Sequence, residues 1–208
     1  MLSLQKKTIH ASERERPDVV AKREAWEKAQ PDMDVGKLVF LDESGVNTNM
    51  ARLYARAKGG ERAHDGVPLN TGISTTILSS VRLDGECIYT TFPGTVNGAR
   101  FKEYLRELFT VSLRPGDIVI MDNLRSHKVD GIVELIESAG ATALYLPPYS
   151  PDFNPIEEMW SKIKAYLRMA KARTVDALLT AIPLAFASVM PSDILGWFDH
   201  CGYSGSFL

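Results

Sequence analysis

The sequence predicts an α/β fold, a mixed sheet with helices packed against it, from three observations. Two short apolar runs, "KLVFLDE" and "GDIVIMDN", end in acid, as buried strands do. Between them, "GISTTILSSVRLDGECIYTTF" reads as two strands around an Asp84-Gly85 turn. After them, helical and strand patterns alternate, and that order packs helices on a sheet.

Taken in order, residues 1–35 are polar and charge-dense, with Pro17 near a helix start, and read as an exposed helical linker. The remainder, 36–208, reads as one domain with a helical tail. "NGARFKEYLRELF" sets Phe101, Leu105, Leu108 and Phe109 at helical spacing. "SHKVDGIVELIESAG" predicts a helix stopped at Gly140, "TALYLP" a last strand, and "NPIEEMWSKIKAYLRMAKAR" a long helix. The most apolar stretch, "ALLTAIPLAFASVM", is broken by Pro183 and too short to cross a bilayer. "MLSLQKKTIH" lacks the apolar run of a signal peptide. The two cysteines, Cys87 and Cys201, have no metal-ligand spacing and read as reduced thiols. A cytoplasmic location follows as the expectation. The net charge of −2 does not itself point to nucleic acid, so that case rests on local charge.

Asp42 and Asp122 each close an apolar strand, at the rim where open α/β sheets bind ligands. The proline-rich "LPPYSPDFNPIEEMW" then delivers two glutamates. On the helical wheel Ile156, Met159, Trp160, Ile163 and Leu167 form the core stripe. Glu158 falls opposite it, in reach of Lys162, whereas Glu157 borders it, in line with Lys164, Arg168 and Lys171. Asn154, Pro155 and Glu157 also match a capping box, so capping and catalysis both account for Glu157. Two charges about 4 Å apart repel by roughly 4 kcal/mol at an effective dielectric near 20. Divalent cations remove that cost; hard oxygen donors suit Mg²⁺ or Mn²⁺, and two such ions suit phosphodiester chemistry.

"LDES", "MDNLRSHK" and "LPPYSPDFNPIEEMWSKIK", with 34 residues between Asp122 and Glu157, resemble the catalytic domain of DDE transposases. The resemblance runs from about Lys6 to the closing "HCGYSGSF" and is nearest the bacterial insertion-sequence branch of the mariner superfamily. It implies a ribonuclease-H-like fold and a catalytic, metal-binding triad of Asp42, Asp122 and Glu157. It also implies two Mg²⁺ or Mn²⁺ ions and nicking of transposon ends. The freed 3′-hydroxyl then attacks target DNA. DNA is the implied partner, with a homodimer pairing two ends. Family members carry helix-turn-helix modules ahead of this domain. Only 41 residues precede Asp42, so the expectation is the second reading frame of a split element with a separately encoded DNA-binding half, a truncated copy, or a mis-called start.

Other residues carry weaker signals. Lys164, Arg168 and Lys171 lie in a segment, 155–173, with five basic and two acidic residues, and phosphate contact competes there with a solvated helix face. Arg52, Arg56, Lys58 and Arg62 share a glycine-containing loop with the same two readings. His127 either contacts a phosphate or orients water near the metals, or is an early helix residue. Asn123 supports the neighbouring aspartate or forms a turn. Glu43 alternates away from Asp42 on its strand. Trp160 and Tyr149 read as core and loop packing. Three other classes remain: a structure-specific nuclease on the same fold, a phosphoacceptor module, and a catalytically silent DNA-binding remnant. The phosphoacceptor fits least, because 79 residues separate the two aspartates and the last strand offers no lysine.

Overall fold

The computed structural model describes residues 11–204 apart from 53, 71 and 73. The stretch 1–10, read above for a signal peptide, lies outside the described residues. Five strands form one sheet in the order β3-β2-β1-β4-β5: β1 Leu38–Val46, β2 Thr75–Arg82, β3 Tyr89–Pro93, β4 Ile118–Met121 and β5 Thr142–Tyr145. The first three strands form an antiparallel meander, and β1, β4 and β5 run parallel. That is the mixed sheet the element order predicts. The Asp84-Gly85 step makes the β2–β3 turn, with Gly85 at φ +96°.

Alternation along β1 splits the core in two. Leu38 and Phe40 face one side, joined by Ile120 and by α4 (Pro155–Ala170), α5 (Val175–Ala187) and α6 (Pro191–His200). Val39 and Leu41 face the other, with Val119, Met121 and the residues of α2 (Gly98–Tyr104) and α3 (Ile132–Ser138). All five residues of the predicted α4 stripe are buried. The apolar tail is two helices, α5 and α6, packed on the domain; among the described residues no single helix is long and apolar enough to cross a membrane.

Three expectations change. Helix α3 begins at Ile132, not at Ser126: the 3₁₀ turn Arg125–Lys128 ends at the extended Val129, and Gly131 at φ +85° caps the start of α3. Residues 17–29 are helical (α1, with Pro17 at its first position), but not simply exposed: Val19 and Arg23 are buried. Arg23 lies over the Phe153 ring and donates to Ser150 Oγ and to both oxygens of Asp152, so α1 clamps the proline-rich segment. Lys162 pairs with Asp193 of α6 rather than with Glu158, which instead lies 3.9 Å from His200.

Candidate active site

Strand register builds the site. The parallel pairing of β1 with β4 ends at Leu41 and Met121, so Asp42 and Asp122 are the next residues on adjacent strands. Asp42 is not at the end of β1: its antiparallel partner β2 keeps β1 extended to Val46. It sits where the parallel half of the sheet opens instead. Alternation then aims Asp42 to the Phe40 side, towards α4, and Glu43 to the opposite side, as its position on the strand predicts.

Asp42 is buried, at 6% exposure, and accepts a hydrogen bond at Oδ2 from the indole N–H of Trp160, 3.1 Å away. Burial, and then the charges of Glu157 and Asp122, push its carboxyl up to about 8. Glu157 is raised as well, by burial first; Lys164 opposes the shift, and Asp122 and Glu158 add to it. The two aspartates and Glu157 therefore feel one another across a shared rim. Among the described residues, no group of three or more acid, imidazole or thiol side chains is already arranged to hold a metal ion.

The capping reading of Glu157 does not hold. The side chain of Asn154 makes no cap hydrogen bond, and its N–H donates to Pro151 O, not to Glu157. The side chain of Glu157 is exposed and makes no hydrogen bond among the described residues, while its backbone N–H donates to Asn154 O. It lines a cleft of 370 Å³ with Asp122, Asn123, Tyr149 and the Leu146–Pro151 segment.

Asp122 is fixed by its own turn. Its Oδ1 accepts from Leu124 N–H at 2.9 Å, a local Asx arrangement. His127 is fully buried, so it is not a plain early-helix residue. Its Nε2 lies 2.6 Å from Glu43 Oε2, and its Nδ1 lies 2.7 Å from Asp122 Oδ1 but out of line for a hydrogen bond. Burial works against charge on this ring, but the two carboxylates prevail and raise it to about 9. An imidazolium thus joins Asp122 to Glu43, a link that sequence spacing does not show. Asn123 serves the loop: it donates to Leu146 O and accepts from Lys128 Nζ.

The basic residues divide. Arg52, Arg56 and Lys171 line one surface groove with Tyr54 and His64, although Lys171 is paired with Asp65 at 3.0 Å. Lys58 and Arg62 are exposed on the same loop outside that groove, and Lys164 acts on Glu157. Arg168 is half-buried on the same helix. The predicted continuous stripe is interrupted at Lys171, which takes a left-handed conformation, φ +51°, as α4 ends.

Comparison with known proteins agrees with this geometry. The chain superposes on the Mos1 transposase paired-end complex with left transposon end at a TM-score of 0.76 and 19% identity, covering 97% of this chain and 64% of that one. For the Mos1 mariner paired end complex with Mn the values are 0.73, 20%, 97% and 64%. For the catalytic domain of Mos1 mariner transposase they are 0.62, 16%, 94% and 92%. The chain thus spans less than two thirds of the longer Mos1 chains and nearly all of the catalytic domain. The likeness is one of fold, and that fold is ribonuclease-H-like. No curated protein sequence matches the chain. The sequence profile described as DDE superfamily endonuclease matches residues 37–179, from the start of β1 through both aspartates and Glu157 into α5, and the chain belongs to that family.

Proposed function

We propose that this chain is the catalytic domain of a mariner-superfamily DNA transposase of the bacterial insertion-sequence branch, cleaving and joining DNA strands with divalent metal. The observation that carries the reading is that Asp42 lies on the rim where β1 and β4 separate, near enough to Glu157 and Asp122 to feel their charges. The donor set fits Mg²⁺ or Mn²⁺: three hard carboxylates, one of them held from easy ionisation by burial first and then by the other two. Asp42, Asp122 and Glu157 would hold the ions, which supply activation of the nucleophile and stabilisation of the leaving oxygen. The protein's own part is positional. Trp160 and the Leu124 amide fix the two aspartates. The His127–Glu43 pair counters the negative charge behind Asp122, and the α1-clamped loop presents Glu157.

DNA is the proposed substrate, transposon ends first and target second, worked on by a homodimer in the cytoplasm at the nucleoid. Mos1 relatives are described in complex with a transposon end and with Mn or Mg. Arg52, Arg56, Lys58, Arg62, Lys164, Arg168 and Lys171 are proposed to meet the phosphate backbone. The test is nicking of supercoiled plasmid, and joining of a pre-cut 3′-hydroxyl end, in Mg²⁺ or Mn²⁺. Both activities should fall at least about 100-fold in Asp122→Asn and Glu157→Gln, the order expected for loss of a metal ligand or its support. Nicking that survives both substitutions would reject the triad. Nicking without joining would favour the nuclease reading.

A further inference from the structure

A buried tryptophan usually places its indole N–H on an acceptor. For Trp160 that acceptor is a carboxylate. Trp160 is 2% exposed, and its N–H reaches Oδ2 of Asp42, which is itself only 6% exposed. The ring has little freedom to choose. It meets Phe186 edge-on, with centroids 6.4 Å apart, and Phe186 stacks flat on Tyr89 at 3.9 Å and 3°. An aromatic train from β3 through α5 thus fixes the direction of one N–H on α4.

The other aspartate is restrained in a matching way. Oδ1 of Asp122 is taken by the Leu124 N–H, with His127 Nδ1 2.7 Å away, while its Oδ2 has no hydrogen bond among the described residues. On Asp42, the Trp160 N–H takes Oδ2, and a backbone hydrogen bond from Glu43 also reaches this carboxyl. Each aspartate is therefore oriented by donors of the protein.

We propose that Trp160 is a positioning residue for the metal chemistry: its indole N–H holds Asp42 Oδ2 and so sets the orientation in which Asp42 would meet a divalent cation. This rests on the reading of Asp42 as a metal ligand given above. A carboxylate free to rotate presents its oxygens in many directions, whereas one held at Oδ2 keeps a single direction. Partners of this kind orient metal ligands, and their loss typically costs 10–100-fold in affinity. Trp160 lies one turn beyond Glu157, so the same helix supplies one ligand and the restraint on another.

The test is calorimetric titration of Mn²⁺ into the full chain, comparing wild type, Asp122→Asn, Trp160→Phe and Trp160→benzothienylalanine. The last keeps the indole shape with sulfur in place of N–H. Both Trp160 variants should bind Mn²⁺ about 10–100-fold more weakly than wild type, with unchanged circular dichroism. In an Asp42→Asn background, Trp160→Phe should change the affinity no further. If wild type binds, Asp122→Asn does not, and either folded Trp160 variant binds within about 2-fold of wild type, the positioning role is rejected while the metal site stands. Should Trp160→Phe not fold, the isosteric variant decides alone. Equal absence of binding in wild type and Asp122→Asn would reject the metal reading itself, and the role of Trp160 with it.

Discussion

Asp117 and Arg82 show at the residue scale how this chain treats charge that is structural rather than catalytic. Both are buried, and Arg82 Nη2 donates to Asp117 Oδ2 at 2.5 Å. Burial raises the Asp117 carboxyl, but the Arg82 hydrogen bond and the Arg114 N–H outweigh it, and the net shift is downward. A depressed carboxylate contributes stability that is present above its unfolded pKa and lost as pH falls through the folded one. Acid denaturation should therefore steepen below about pH 4, and Asp117→Asn should flatten that limb. Removing one partner of a buried pair leaves the other uncompensated, so Asp117→Ala should cost about 3–5 kcal/mol, checked by urea titration. The rim carboxylates show the opposite design. Asp42 is raised and has only the Trp160 indole as a side-chain donor among the described residues, the signature of a group kept for a ligand.

At the scale of elements, the proline-rich segment draws its rigidity from α1. Arg23 ties Ser150 and both oxygens of Asp152, Arg14 just ahead of α1 adds a third bond to Asp152, and Tyr203 donates to Phe153 O while accepting from Trp26. A lysine cannot reproduce that fork, so Arg23→Lys should lower stability by about 1–3 kcal/mol. For a chain of this size, a thermal melt should then fall by roughly 2–4 °C per kcal/mol. Because the loop delivers Glu157, nicking should fall as well. A second element test concerns the start of α2. A Cβ at Gly98 would lie 2.3 Å from Val129 Cγ2, so Gly98→Ala should cost about 1–3 kcal/mol through overpacking, read by the same melt. The sequence shows the loop's prolines and the α4 stripe, but the partner of Arg23 lies 129 residues away and no local pattern reveals it.

For the whole molecule, the charge map makes a claim about DNA. The net charge is −2, yet Arg52, Arg56 and Lys171 gather in one groove at the C-terminal end of α4. If these residues neutralise phosphates, duplex affinity should fall steeply with salt. Arg56→Ala should weaken binding across all sequences and reduce the log–log salt slope by about 1, measured by fluorescence anisotropy at several NaCl concentrations. An unchanged slope would remove that groove from the DNA path. Lys171 makes a less clean test because Asp65 already holds it.

The sequence by itself determined which segments are strands and helices and which face of α4 is buried, and it singled out three carboxylates as candidates. Those features are written in local periodicity and in residue types at chain turns. Only the tertiary structure decided where the carboxylates stand and what holds them. Asp42 reads as a strand end, but the pairing with β2 makes it an interior strand residue at the point where β1 and β4 part. His127 reads as the start of a helix, but it sits in a 3₁₀ turn that ends at the extended Val129, with its ring buried between Asp122 and Glu43. Trp160 reads as core, which it is, yet the direction of its N–H depends on an aromatic stack drawn from β3 and α5. Period and composition are properties of neighbours along the chain. Hydrogen-bond direction and the meeting of charges belong to residues that approach only when the sheet closes against its helices.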